Sequence, residues 1–404
     1  MIEGATAPLS RDHGQPGREG IRLAIAYFAF FSTVGIQLPY WPVWLAYRGM
    51  GPGQIGVLLG VTTWARLASP WVGNWADRRG NGERVASALA AATLASVIAF
   101  GWTEGFVPLL LLSIASGLVV APILSLIEGI SVTAAASGRL DYGRVRLWGS
   151  AAFVLASSLV GFALQGRSPS LVLPILVGAS AALFAATLFL PRAAPHGHPA
   201  RQVRQVAEGP TGGARATGTR PPMATFLAAA ACVQGSHAVR YTFGTRHWQA
   251  IGISESTIGW LWAWGVIAEV ALFAVGGGLV ARFRPAGLIV AAALAGVVRW
   301  PLLAWVESVP VIVAVQTLHA ATFAATHLGA MSWIRDTIDR AAVQRTTALY
   351  AAITNGAALG LGMPLAGALY ARFAGEAYHA MAICCGVGLL FALRLYRHRP
   401  AHRD

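Results

Sequence analysis

Residues 106–134 read FVPLLLLSIASGLVVAPILSLIEGISVTA, a stretch whose one charged residue is Glu128. A helix needs about 20 predominantly apolar residues to cross a bilayer core. This run is longer than that and so apolar that no face is left for water, so it reads as a membrane-spanning helix. Glu128 is then a charge in the wrong solvent, at an insertion cost of roughly 3 kcal/mol unless it finds a partner or a wet cavity.

Similar runs lie on both sides of it. Of 404 residues, 56% are hydrophobic and 11% charged, and the mean hydropathy is +0.58, a balance no ordinary soluble domain carries. Between Ile21 and Tyr396 the apolar runs recur about every 30 residues, room for about twelve spans. Spans 1 to 6 fall near 21–47, 53–76, 83–103, 106–134, 143–165 and 170–191. Spans 7 to 12 fall near 223–250, 254–281, 286–305, 309–334, 342–371 and 376–396. The first twenty residues lack the apolar core and cleavage site of a signal peptide, so span 1 is expected to be an internal anchor. Cys232, Cys384 and Cys385 lie in apolar runs with no metal or disulfide spacing and read as packing.

The net charge of +14 raises the question of nucleic acid. Its distribution answers no. All 30 basic residues are arginines, and this assignment of spans puts 23 of them on one side, with Arg48, Arg167 and Arg372 in the opposite loops and Arg246 near that face. That is the bias of cytoplasmic loops in a multi-pass inner-membrane protein, with both termini cytoplasmic and membrane lipid as its surroundings.

Residues 192–222 are rich in Pro, Gly and Arg and read as a cytoplasmic linker. They divide the chain into a tail (1–20), a six-helix bundle (21–191), a second bundle (223–396) and a short tail (397–404). A shift of 203 positions (252 − 49) carries Gly49 to Gly252, Gly73 to Gly276 and Trp102 to Trp305, and lays Gln54-Ile55-Gly56-Val57-Leu58 on Thr257-Ile258-Gly259-Trp260-Leu261. The same shift sets Arg66 of span 2 opposite Glu269 of span 8.

After span 2 comes Gly73-Asn74-Trp75-Ala76-Asp77-Arg78-Arg79-Gly80. It matches the G-x-x-x-D-R-x-G signature of the major facilitator superfamily, and this resemblance implies an all-α membrane protein of twelve transmembrane helices in two six-helix bundles related by a pseudo-two-fold. Gly73 is expected to admit a neighbouring helix, Asp77 to accept from helix ends or arginines, and Arg78 and Arg79 to anchor the loop inside, the motif Gly73, Asp77, Arg78 and Gly80 being read as a cytoplasmic gate. The second copy has Val280 in place of the acid.

Other charges also fall inside spans: Arg66, Arg240, Glu269 and Arg299, with His237, His319 and His327. His319 and His327 are eight residues apart, near one helical face. The stretches Gly235-Ser236-His237-Ala238, Val266-Ile267-Ala268-Glu269-Val270, Gly296-Val297-Val298-Arg299-Trp300 and Gln316-Thr317-Leu318-His319 resemble the phenylpropionate permease family of that superfamily. So do Leu38-Pro39-Tyr40-Trp41 and the run Asp141 to Gly149. Glu128, Arg146 and Phe153 are similar to the sugar-gripping set of the more distant lactose permease. There a glutamate used for proton coupling follows the span 10 histidine by three residues; here that place is Thr322.

These residues lead to one expectation: a secondary active transporter, not an enzyme, taking up a small organic acid with protons by alternating access. Glu269, His319 and Arg299 are the expected proton-coupling set, with Glu269 alternatively a static ion-pair partner. Arg66, Glu128, Arg146, Phe153, His237, Arg240 and Gln37 are the expected substrate-binding set. Counting Arg66, Arg146, Arg240 and Arg299 against Glu128 and Glu269 gives 4 − 2, an excess that suits an anion. Tyr40, Trp41, Phe153, Tyr241, Trp262 and Trp264 are candidate cavity aromatics, against the ordinary use of Trp and Tyr as interface anchors. Gly356, Gly360, Gly362 and Pro364 in span 11 are read as a bend or as plain packing. No cofactor and no metal site is expected, and the protein is expected to act as a monomer. A sugar or nucleoside symporter, an efflux antiporter and a non-transporting membrane sensor are the alternatives. No H-E-x-x-H or G-x-S-x-G motif supports an intramembrane enzyme.

Overall fold

The computed structural model describes residues 17–192 and 222–398, apart from the side chain of Asp77. The linker and the outer parts of both tails therefore lie outside the described residues. Within them the chain makes twelve helical passages. Nine helices among the described residues are long and apolar enough to cross a membrane. Spans 2 and 7, both interrupted, are not among the nine, and spans 11 and 12 run together within one of them. Large apolar side chains such as Leu111, Phe162, Leu361 and Leu390 are exposed around the outside, which suits lipid and not water.

The breaks have local causes. In span 2 the helix Pro52–Trp64 passes through a 3-10 turn, Ala65–Ala68, into Ser69–Arg79. Pro70 has no N–H for the Arg66 carbonyl, which takes the Ser69 N–H instead. Span 7 breaks between Met223–Gly235 and Ala238–Ala250, where Ser236 donates its hydroxyl back to the Val233 carbonyl at 2.6 Å. Span 8 (Glu255–Ala274) stops at Val275, and three glycines open the next helix, Gly276–Arg282. Span 10 carries a π-turn, Ala320–Ala325, between Val309–His319 and Thr326–Thr337, and span 11 another at Ala352–Ala358. Single π-turns often mark functional positions.

The two bundles meet along span 1 with span 7, span 5 with span 8, and span 2 with span 11. These seams are tightest toward the face away from the chain ends. Gly161 and Gly259 cross there, and a methyl on Gly259 would press on the Ser157 carbonyl and the Tyr40 hydroxyl. Gly60 sits likewise on the Gly360 carbonyl and the Pro364 ring, and Thr63 donates to the Met363 sulfur at 3.3 Å. At the terminal face the tips of spans 3, 4, 9 and 10 make no packed seam between bundles, so the space between the bundles opens that way.

Three expectations change here. Gly73 admits no helix: a methyl added to it would meet nothing within 4 Å among the described residues. Gly80 is the glycine the turn requires, with φ +61° at the end of span 2. Tyr40 and Trp41 are seam and core, not cavity: Tyr40 donates to the Ser157 carbonyl at 2.7 Å and Trp41 stacks on Trp44 with centroids 4.5 Å apart.

Candidate functional site

A chamber of about 260 Å³ lies between the bundles, slightly below the roughly 300–1,000 Å³ of pockets for drug-sized ligands. The first bundle supplies Phe31 and Leu38 from span 1 and Arg146 and Phe153 from span 5. The second supplies Arg240 and Tyr241 from span 7, Trp262 and Glu269 from span 8, Arg299 from span 9, and Gln316 and His319 from span 10. Three arginines thus stand against one carboxylate on the wall. The excess of two expected from the sequence persists with different members.

Arg299 is 1% exposed, and every acceptor around it is uncharged. Its Nη1 donates to Thr322 Oγ1 at 2.8 Å and approaches His319 Nδ1 at 3.3 Å and His237 Nε2 at 3.4 Å. Its Nη2 donates to Gln316 Oε1 at 3.1 Å. Arginine only donates, so the ring nitrogens facing it must be acceptors. His237 then carries its proton on Nδ1, which donates to the Gln234 carbonyl at 3.1 Å. His319 carries its proton on Nε2, which points at Glu269 Oε2 across 3.8 Å. A file of groups thus runs Glu269, His319, Arg299, His237.

Arg240 is 2% exposed and stacks between two indoles, 3.4 Å from the Trp262 centroid and 4.3 Å from that of Trp248. Its Nε and Nη1 are buried with no hydrogen-bond partner among the described residues. Gly244 between Arg240 and Trp248 leaves room for the guanidinium to lie along the helix. Two cation–π contacts of about 2 kcal/mol each when desolvated offset much of the cost of that burial. They supply no negative charge.

Arg146 lies over the Phe31 ring at 4.3 Å and 3.8 Å from Glu128 Oε1. Glu128 therefore stands behind Arg146 and off the wall. Among the expected residues, Arg146, Phe153, Arg240, Glu269, Arg299 and His319 meet at the chamber, and His237 backs Arg299.

Arg66 and Gln37 are not on this wall. Arg66 rides on the 3-10 turn of span 2, exposed, and Gln37 is half-buried; neither makes a hydrogen bond to a described residue. Trp264 is more than a third exposed and donates to Thr317 Oγ1, outside the chamber. His327, eight residues further along span 10, does not join His319 at the chamber: it packs near Phe273 and Tyr350. The gate motif's Arg78, Arg79 and Gly80 are exposed, and Asp77's side chain is outside the described residues.

Gln316, Thr322, Phe31 and Trp248 were not singled out as site residues from the sequence. Gln316 and Thr322 flank His319 at three-residue spacing on one helix, a signal that spacing alone could have raised.

Twelve passages in two bundles around a charged, aromatic-walled chamber open toward one face define a secondary transporter of the alternating-access kind. The model of the MFS_1 like family matches residues 20–380, and the chain belongs to that family. It is 34% identical over 373 residues to the "Probable 3-phenylpropionic acid transporter" of Escherichia coli (strain K12), covering 89% of this chain and 94% of that one. In fold it is similar to the nucleoside transporter NupG (TM-score 0.77, 17% identity, 95% of this chain and 100% of that one). It is also similar to a bacterial homologue of the human lysosomal transporter Spinster in an inward-facing, unoccupied conformation (TM-score 0.73, 15% identity, 95% and 98%).

Proposed function

We propose that this transporter carries a small aromatic monocarboxylate of the phenylpropionate kind into the cell together with a proton. The observation that carries the reading is the pair of buried arginines, Arg240 and Arg299, which have no carboxylate in ion-pair range among the described residues. A buried unpaired cation is costly, by several kcal/mol per ion, and an anionic solute supplies the missing charge. Trp262, Phe153 and Tyr241 offer ring faces for its apolar body. The name of the Escherichia coli relative supports the same class of cargo.

Glu269 and His319 are the proposed proton carriers, with Arg299 coupling them to the cargo. The arginines crowding the terminal face support a reading in which that face, and both chain ends, lie on the cytoplasmic side of an inner membrane. The chamber is then open inward. The gate motif at the span 2 turn is proposed to act when the terminal face closes. The protein is taken to work as a monomer, each chain holding one complete chamber.

The test is counterflow in proteoliposomes. Exchange of labelled 3-phenylpropionate, stimulated by an acidic outer pH, is the expected result. No exchange of any aromatic acid, with brisk exchange of a sugar or nucleoside, moves the assignment to the alternative cargo; strict acid export against added protons moves it to an antiporter.

A further inference from the structure

The acceptors around Arg299 are placed with care for a group that leaves the cation uncompensated. Gln316 Nε2 donates to the Leu261 carbonyl at 3.0 Å, which fixes its amide so that Oε1 faces Arg299. Thr322 gives its one hydroxyl hydrogen to the Leu318 or His319 carbonyl, at 3.2 and 3.3 Å, or to His237 Nε2 at 3.2 Å, and in each case presents a lone pair to Nη1. Both side chains are almost wholly buried, at 1% and 0% exposure. They hold the guanidinium in place without neutralising it. Of its five donors, Nε has no hydrogen-bond partner among the described residues, and the chamber's Glu269 stands on His319 instead.

From this, we propose that Gln316 and Thr322 set the charge selectivity of the chamber: uncharged acceptors keep the charge of Arg299 available to a carboxylate solute, and a carboxylate at either position excludes anions. The proposal rests on the anionic cargo argued above. It assigns a specificity role to two residues that touch Arg299, Gln316 from the chamber wall and Thr322 from behind it. Gln316→Glu is the near-isosteric change. Thr322→Glu places the same charge on the other nitrogen.

The experiment is binding to detergent-purified full-length protein, read by tryptophan quenching with 3-phenylpropionate and with its uncharged amide. Both carboxylate variants are expected to weaken acid binding by about a hundredfold, as for loss of a buried charge partner, while holding the amide at least as well as wild type. Wild type that binds no aromatic acid sinks the cargo assignment. Wild type that binds the acid, with a variant that still binds it within about threefold and melts normally, overturns the selectivity proposal alone. If neither carboxylate variant folds, Arg299→Gln decides: it must lose the acid and keep the amide, and retention of the acid overturns the proposal.

Discussion

Glu269 is the one carboxylate on the chamber wall, and its nearest polar neighbour is a histidine whose other nitrogen is held by an arginine. That arrangement separates two duties. A proton on Glu269 changes the charge seen by His319 and Arg146, while the cargo, on the function proposed above, is held at the arginines. Glu269→Gln is therefore expected to abolish uphill uptake and leave exchange within about threefold of wild type; loss of both together, in a protein that still binds the acid, would show that Glu269 holds cargo and not protons. Trp262 has a different duty, stacking on Arg240 and facing the chamber. Its replacement by leucine removes an aromatic pair worth about 1 kcal/mol and a cation–π contact of similar size or more. KM for the acid should rise roughly tenfold or more with maximal exchange less affected, and an unchanged KM would place the ring elsewhere in the chamber.

At the scale of the helices, the seam away from the chain ends depends on crossings that admit no side chain. Gly259 lies against the Ser157 carbonyl and the Tyr40 hydroxyl, so Gly259→Val forces an overpacking cost of about 1–3 kcal/mol on that closed seam. Spin labels on Thr103→Cys and Ser308→Cys, one in each bundle at that face, should then report a longer distance population. An unchanged distribution in a stable protein would mean that the seam yields without opening. Span count and bundle division were legible in the sequence because apolar length and arginine placement are set residue by residue by the bilayer. The breaks were less so. Proline at 70 and the glycine run at 276–278 are visible signals, but the π-turn at Ala320–Ala325 leaves no compositional mark. Arg66 illustrates the same limit: its pseudo-equivalence with Glu269 was readable, yet it sits on a 3-10 turn and is not among the residues that line the chamber. Thr322 was readable as a missing acid, while its bond to Arg299 required three helices to be placed.

Across the whole molecule the charges in and immediately behind the chamber constrain what drives it. With Glu269 and Glu128 ionised, Arg146, Arg240 and Arg299 give 3 − 2, a net +1 for the empty carrier. With Glu269 protonated and one monocarboxylate bound, the sum is 3 − 1 − 1, again +1. If one proton travels with one acid, the bundles rock about a site whose charge is the same loaded and empty, so the two steps move equal and opposite charge and a full cycle moves none through the membrane field, which acts with about 2.3 kcal/mol per charge per 100 mV. Uptake into proteoliposomes should therefore follow an imposed pH gradient and respond by less than about twofold to a potassium diffusion potential set with valinomycin across 100 mV, where one uncompensated charge would be driven by that full 2.3 kcal/mol. Strong acceleration by an inside-negative potential at matched pH would mean that more than one proton accompanies each acid, and that a second group, with His319 the nearest to Glu269, carries it.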